Sequence, residues 1–262
     1  MRVSLDQILE TTRGGLPALS ARAETVSREA GAVPRPPSLA GALRGDTVAV
    51  IAEVKRRSPS AGVIREDLDP AVRAALYAER GAAAISVLTD GPFFGGSVAD
   101  LRSAAARVAV PVLRKDFILD ELQVLEARAA GAAAVLLIVR ALPRERLEAL
   151  LGAAARQDLD ALVEVHTAAE LDTALEAGAR IVGVNSRDLD TFRIDTAAAW
   201  RLLRRVPDDI VAVAESGMAE PADVIQARDQ GADAVLIGTA LSAASDPGGL
   251  LARLAEVPRH GR

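Results

Sequence analysis

Four ionisable side chains stand near the ends of apolar, strand-like segments, at nearly regular intervals along the chain. They are Glu53, Lys115, Glu164 and Glu215, within the segments 47–55, 108–116, 160–166 and 209–217. A charged group that ends an apolar strand must lie in water, beside an opposite charge, or in an active site. Three carboxylates and an ammonium group brought into one site would suit acid–base chemistry on an anionic substrate.

A second set of segments forms an internal repeat. Gly81, Gly131, Gly178 and Gly231 each follow a helical run and precede an apolar strand, about every 50 residues. Glycine suits this place because it can close a helix in the left-handed conformation and release the chain into a strand. A solenoid of stacked units would also be periodic, but here each period contains two strands and two helices.

Eight strands, each almost continuously apolar and followed by an amphipathic run, indicate parallel strands covered by helices. The 262 residues suit an α/β fold of the (β/α)8 TIM-barrel type, which usually takes about 250 residues. An open doubly wound sheet, the alternative, would usually carry a dinucleotide-binding motif after its first strand, and none is found there. Because alternate strands of a barrel share a layer of side chains, the four ionisable groups are expected in one ring near the mouth.

The residues before the first strand form a separate segment. The prediction is an N-terminal helical extension over residues 1–45, packed on a barrel over residues 46–262, within one catalytic domain. The extension has a predicted helical stretch over residues 5–30 and a proline-rich loop over residues 31–41. Two interpretations remain open: the extension covers the N-terminal end of the barrel, or its loop borders the active site.

Composition excludes several classes of function. The net charge of −5 is spread without blocks of like charge, which is unlike a nucleic-acid-binding protein. No signal peptide is visible and the apolar runs are far below the ~20 residues that span a bilayer, so a cytoplasmic protein without membrane contact is expected. With no cysteine and two histidines, the chain is expected to use no metal and no cofactor. These observations favour an enzyme that uses carboxylate and ammonium groups. A monomer acting on a phosphorylated small molecule is the further expectation.

The acid–base candidates each have a structural alternative. Glu53 and Lys55 lie two residues apart on one strand and point the same way, so they either position a charged substrate or form a structural ion pair. Glu164 has an apolar neighbour on each side and no adjacent cation, which favours a general acid or base. His166 is interpreted as a loop residue that faces away from Glu164.

Small residues end the last two predicted strands, at Ser216-Gly217 and Gly238-Thr239. In barrels, these two loops often hold a phosphate on backbone N–H groups and at the start of a short helix, because small residues let the backbone approach the anion. Ordinary turns are the alternative. Arg187, in the polar loop after the sixth strand, either meets a carboxylate or pairs with Asp188.

Seven sequence motifs occur in register along the chain. They are IAEVKRRSPSAG at 51–62, VLTD and FFGGS within 87–97, LRKDFI at 113–118, LVEVH at 162–166, VNSRDLDTF at 184–192, AESGM at 214–218 and ADAVLIGTAL at 232–241. Together they resemble the motifs of the indole-3-glycerol phosphate synthase family. The resemblance extends over all eight predicted strands in order.

The resemblance implies a barrel with an N-terminal extension and a lyase step of tryptophan biosynthesis. The family converts 1-(2-carboxyphenylamino)-1-deoxyribulose 5-phosphate into indole-3-glycerol phosphate with loss of carbon dioxide and water, and it uses no metal or organic cofactor. Five catalytic residues are implied: Lys115 as the acid of ring closure, Glu164 in dehydration, and Lys55, Glu53 and Asn185 in support. The implied substrate-binding residues surround the phosphate or line the slot for the aromatic ring: Ser58, Phe94, Phe117, Leu136, Ile138, Arg187, Glu215, Ser216, Gly217, Gly238 and Thr239.

Two rival functions share parts of this pattern. Another phosphosugar barrel enzyme, such as phosphoribosylanthranilate isomerase, would have similar phosphate loops, but that family uses a cysteine base and this chain has no cysteine. A non-catalytic paralogue would be expected to lose at least one catalytic ion, whereas every matched charge is present.

Overall fold

The computed structural model describes residues 3–260, and eight parallel strands in it close into a barrel. The strands are β1 (Ala49–Val54), β2 (Ala84–Leu88), β3 (Val112–Lys115), β4 (Ala134–Ile138), β5 (Asp160–Val165), β6 (Ile181–Asn185), β7 (Val211–Glu215) and β8 (Ala234–Ile237). Each strand pairs with the next along the chain, and β8 pairs with β1 to complete the ring. The predicted (β/α)8 TIM barrel is therefore confirmed.

Helices follow every strand, and three precede the first. The helices are α1 (Leu5–Ser20), α2 (Ala23–Ala32), α3 (Leu39–Ala42), α4 (Pro70–Glu79), α5 (Val98–Ala105), α6 (Glu121–Ala129), α7 (Arg144–Arg156), α8 (Ala168–Glu176), α9 (Thr196–Leu203), α10 (Pro221–Asp229), α11 (Thr239–Ala243) and α12 (Pro247–Ala255). The repeated glycines have the left-handed conformation expected of them, from φ 86° at Gly131 to φ 98° at Gly231. In this conformation the chain leaves the helix and turns back into a strand.

Two apolar layers bury the strands on both faces, which explains their continuous hydrophobicity. One layer fills the space between barrel and helices, where outward-facing residues such as Val135 and Val163 pack. The other fills the barrel interior, with Ile51, Leu113 and Leu162 among its fully buried members. Because side chains alternate along a strand, Glu53 faces inward two residues after Ile51, and Lys115 faces inward two residues after Leu113.

The proline-rich loop of the N-terminal extension lies at the N-terminal end of the barrel. Asp160, at the start of β5, accepts hydrogen bonds from the Ser38 hydroxyl and from the backbone N–H of Ala40. Arg128, at the end of α6, donates to the backbone carbonyls of Val33 and Pro34. The proline-rich loop is thus held at the end opposite the strand termini that carry the ionisable groups. The hypothesis that this loop borders the active site is wrong.

The predicted single helical stretch over residues 5–30 is two helices, α1 and α2, separated at Ala21 and Arg22. Apolar residues of α1 are buried in the interior cluster that also contains Phe117, after β3. The division of the chain at residue 45 stays a prediction. Within residues 3–260, no helix combines the length and the apolar character needed to cross a bilayer.

Candidate active site

Lys115 lies at the centre of a ring of carboxylates at the mouth of the barrel. Its Nζ is 3.9 Å from Glu53 Oε2, 3.7 Å from Glu164 Oε2 and 3.6 Å from Glu215 Oε2. The four residues come from β1, β3, β5 and β7, so the odd strands do supply one polar layer, as expected. The three carboxylates are almost completely buried and the lysine side chain is 16% exposed. The ring therefore forms the floor of a pocket that opens to solvent.

A second ammonium group completes this floor. Lys55 Nζ lies 2.7 Å from Glu53 Oε1, so the ion-pair alternative for these two residues describes the structure. Both side chains of this ion pair also line the pocket, beside Lys115. Lys55 and Lys115 are the only lysines in the sequence, and every other permanent cation is an arginine. Both compact, flexible ammonium groups of this protein thus serve one site.

The charges in this ring shift one another's pKa values in opposite directions. Burial disfavours the charge on Glu53, but Lys55 and Lys115 outweigh it and lower the pKa of that carboxyl. Burial likewise opposes the charge on Lys115, yet Glu215, Glu164 and Glu53 raise its pKa well above the usual value. Burial, together with the negative charge of Glu164, raises the pKa of Glu215 to about 8. At neutral pH, Lys115 is an ammonium group, and Glu215 keeps its proton to a higher pH than an ordinary carboxyl group does.

Two glycines, which have no side chain, make room for two of these carboxylates. A Cβ on Gly183 of β6 would lie 2.1 Å from Glu215 Oε1, and a Cβ on Gly238 would lie 2.1 Å from Glu53 Oε1. Neither glycine has a positive φ. Glycine is therefore required by the approach of a side chain rather than by backbone conformation. Gly238 is among the predicted site residues, whereas sequence reasoning missed Gly183; a glycine inside an apolar strand was the available signal.

Every predicted site residue lines this single pocket, which has two chemically different sides. The apolar side follows β2, β3 and β4 and includes Phe94, Phe117, Leu136 and Ile138. The phenyl rings of Phe94 and Phe117 lie 6.2 Å apart and are inclined by 39°. An aspartate holds each loop, because Asp90 accepts from the backbone N–H of Phe94 and Asp116 accepts from that of Phe117. This side can receive a flat aromatic ring.

Small residues from β7, β8 and the loop after β1 form the opposite side. Ser216 and Gly217 both have positive φ, 67° and 80°. A left-handed serine is uncommon, and such conformations concentrate at functional sites. Gly238 directly precedes α11, a short helix that was not predicted as an element but matches the helix start expected at a phosphate site. Ser58 is buried nearby and Thr239 is exposed at the rim.

Arg187 crosses the rim of the pocket between two loops. Its guanidinium donates to the Ser60 hydroxyl at 3.3 Å and to the backbone carbonyl of Phe192 at 3.1 Å. Asp188 instead pairs with Arg140, so the predicted alternative of an Arg187–Asp188 pair is wrong. The adjacent backbone explains this, since the Asp188 carboxylate turns back to cap the loop through the N–H of Thr191. Arg187 remains available to an anion in the pocket.

His166 follows the end of β5, as expected of a loop residue, but it lies beside Glu164, so the prediction that it faces away from Glu164 is wrong. Its Nε2 is 3.5 Å from Glu164 Oε1, and its side chain is only 8% exposed. The physical reason is the period of two of an extended chain, which places the side chain of residue 166, one residue beyond β5, on the same side as that of residue 164. Period-two reasoning applied to His166 would have placed it correctly.

The protonated state of Glu215 gives a testable effect of pH on stability. Its folded-state pKa of about 8 exceeds the ordinary value of 4.5, so the folded protein holds a proton that the unfolded chain releases between these values. The free energy of unfolding should therefore fall as pH rises, by up to about 1.4 kcal/mol per pH unit from this group. Glu215→Gln removes the titration and should flatten the decline between pH 5 and pH 8, measured by urea unfolding. Equal slopes for both proteins would contradict the assignment.

Comparisons with known proteins agree on one family. A sequence model described as indole-3-glycerol phosphate synthase matches residues 5–254. The protein "Indole-3-glycerol phosphate synthase 1" of Streptomyces coelicolor is 48% identical over 266 residues, covering 98% of both chains. "Indole-3-glycerol phosphate synthase" of Parafrankia sp. is 46% identical and covers 98% of this chain and 97% of its own. That of Leifsonia xyli subsp. xyli is 52% identical over 211 residues, 80% of this chain and 81% of its own.

Solved structures share the architecture at low sequence identity. A 3-hexulose-6-phosphate synthase from Salmonella typhimurium superposes with a TM-score of 0.63 at 16% identity, covering 80% of this chain and 97% of its own. A thiamine phosphate pyrophosphorylase from Pyrococcus furiosus superposes with a TM-score of 0.59 at 19% identity, covering 81% and 95%. At this identity the likeness supports the fold alone.

Proposed function

Because the chain belongs to the indole-3-glycerol phosphate synthase family, we propose that it converts 1-(2-carboxyphenylamino)-1-deoxyribulose 5-phosphate into indole-3-glycerol phosphate, carbon dioxide and water. The observation that carries this proposal is the position of Lys115. Its ammonium group is surrounded by three carboxylates at the junction between the apolar side of the pocket and the small-residue side. A substrate with an aromatic ring at one end and a phosphate at the other would place its reacting carbons at this junction.

The two sides of the pocket account for the two ends of the substrate. The carboxyphenyl ring would lie against Phe94 and Phe117, with Leu136 and Ile138 beneath it. The phosphate would lie on the other side, at the backbone N–H groups near Gly217 and Gly238, with Ser58, Ser216 and Thr239 around it. Lys55, on the floor, and Arg187, at the rim, would bind the negative charges of the carboxylate and the phosphate.

Lys115 is placed to act in ring closure. When the aromatic carbon attacks the carbonyl of the sugar chain, negative charge develops on the carbonyl oxygen and a proton must reach it. The ammonium form of Lys115 meets both needs, because it carries a proton and a fixed positive charge. The carboxylates around it hold that charge in place and so keep the donor in its protonated form.

The remaining polar groups are suited to dehydration and to holding the sugar chain. Glu164 would exchange a proton with the departing hydroxyl group. Glu215 keeps its proton to an unusually high pH, and while protonated it can donate a hydrogen bond to a substrate hydroxyl, which an ionised carboxylate cannot do. Within residues 3–260, Glu215 Oε1 is buried and finds no hydrogen-bond partner, so it can accept one from the substrate. Glu53 would hold both lysines, and Asn185 would orient a hydroxyl.

Turnover of the purified protein tests this proposal. The carboxyphenylamino-deoxyribulose phosphate is added in the presence of a chelator, and indole-glycerol phosphate is followed by its fluorescence. Glu164→Gln, which keeps the side-chain size but cannot transfer a proton, should lower kcat by about a hundredfold. Folded wild-type protein that makes no product would overturn the proposal. Turnover of phosphoribosylanthranilate instead would favour the isomerase reaction.

A further inference from the structure

Behind Glu164, a histidine lies between two carboxylates. His166 Nε2 is 3.5 Å from Glu164 Oε1, and His166 Nδ1 is 3.4 Å from Glu170 Oε2. Glu170 belongs to the first turn of α8, where its carboxylate also accepts the backbone N–H of His166 at 2.7 Å. The strand end and the helix start thus place a carboxylate on each side of one imidazole ring.

The ring nitrogens of His166 lie near these carboxylate oxygens but do not form hydrogen bonds with them. Neither ring nitrogen of His166, nor Glu164 Oε1, has a hydrogen-bond partner among residues 3–260, although all three atoms are buried. The two nitrogen–oxygen distances, from His166 to Glu164 and from His166 to Glu170, exceed the usual hydrogen-bond length by about half an ångström. Buried polar atoms without partners are rare, and at a catalytic carboxylate they indicate contacts that tighten when substrate is bound.

The surrounding charges favour the protonated ring. Burial opposes a charge on His166, but Glu170, Glu164 and Glu215 outweigh it and raise the pKa of the imidazole. In return, the pKa of Glu170 is lowered, since His166, with a contribution from Arg140, outweighs the effect of burial on this carboxyl. Lys115 faces Glu164 from the pocket, so its charge lies beyond the carboxylate. More of His166 carries a charge at neutral pH than a free histidine would.

The reaction itself requires a proton from outside the substrate. The carboxylate leaves as neutral carbon dioxide, so one proton per turnover must be taken up for charge to balance. If Lys115 gives a proton to the carbonyl oxygen and recovers one from the carbon beside the nitrogen, Glu164 is left ionised after protonating the departing hydroxyl. One proton must then return to Glu164 before the next turnover.

We propose that His166 is the proton store for Glu164, and that Glu170 positions the ring and stabilises its charged form. This inference rests on the proposed function. The imidazolium gives its Nε2 proton to the ionised Glu164 carboxylate and becomes a neutral imidazole that keeps its Nδ1 proton beside Glu170. After product leaves the open pocket, Nε2 takes up a proton from water. His166 acts through Glu164 and does not itself touch the substrate.

Kinetics as a function of pH test this role. His166→Gln should lower kcat about tenfold at pH 7 with little change in KM, because substrate contacts remain while proton return slows. In the wild type, kcat should decline above the pH at which His166 loses its proton, and this decline should be absent in His166→Gln. His166→Ala should regain activity when free imidazole is added. His260→Ala is the matched control, since this exposed residue is the only other histidine, and its kinetics should match the wild type.

A titration by NMR provides a readout that does not depend on turnover. With two histidines in the sequence, the ring signals can be assigned by His260→Ala. His166 should titrate above 6.5, and Glu170→Gln should lower its pKa. A His166 that titrates below 6.5, or is unmoved by Glu170→Gln, overturns the inference. So does an active, folded His166→Gln protein whose pH profile parallels that of the wild type. An inactive wild-type protein would instead refute the proposed reaction.

Discussion

Lys115→Met should lower kcat by about a thousandfold and should also weaken the folded state, more so at pH 8 than at pH 5. The catalytic loss is the usual size for removing a general acid that also stabilises developing charge. The loss of stability arises because Glu53, Glu164 and Glu215 lie within 4 Å of the missing ammonium group and are buried. Breaking such a cluster costs about 3 kcal/mol or more when the remaining charges stay ionised. At pH 5 the carboxylates can take up protons, so less is lost. Urea unfolding at both pH values checks this difference.

Lys115→Arg separates proton transfer from charge. Arginine keeps the positive charge among the carboxylates but does not release a proton at any ordinary pH. We therefore expect Lys115→Arg to retain more stability at pH 8 than Lys115→Met while losing a comparable part of kcat. Full activity in Lys115→Arg would show that the charge alone is needed, and the role as acid would then fail.

Gly183→Ala should lower kcat/KM by about a hundredfold with a change of only a few degrees in Tm. The new Cβ would lie 2.1 Å from Glu215 Oε1, so the carboxyl group must move from its place beside Lys115. The backbone of Gly183 does not have a positive φ, and the atom in the way is the end of a flexible side chain, so the fold can adjust. A displacement of about 1 Å in an active site can cost a hundredfold in rate.

The matched control is Gly45→Ala. A Cβ at Gly45 meets no atom within 4 Å, and the residue precedes β1 on the exposed surface. Its kcat/KM should equal that of the wild type. If Gly183→Ala is folded and has wild-type kcat/KM, the position of Glu215 has no effect on the reaction, and its proposed role as a hydrogen-bond donor is wrong.

The sequence determined the architecture and the membership of the charged ring. Eight apolar strands with intervening helices, and a glycine before every second strand, leave few folds other than a barrel. The period of two along a strand then places Glu53 on the same face as Ile51, and the equivalence of odd strands places Lys115, Glu164 and Glu215 in the same layer. These are local regularities, and for this reason they can be read from residues close together in the chain.

Only the tertiary structure decided how the groups act on one another. Distances between strands that are far apart in sequence set the pKa of Glu215 and the partners of Arg187. They also set the space beside Gly183 that the Glu215 carboxylate occupies. Barrel closure and strand register set those distances, and neither follows from the pattern of one segment. The contact of His166 with Glu170 likewise requires the start of α8 to return against the end of β5. Electrostatic interaction falls steeply with distance and rises with burial, so the chemistry of this ring is a property of the assembled barrel.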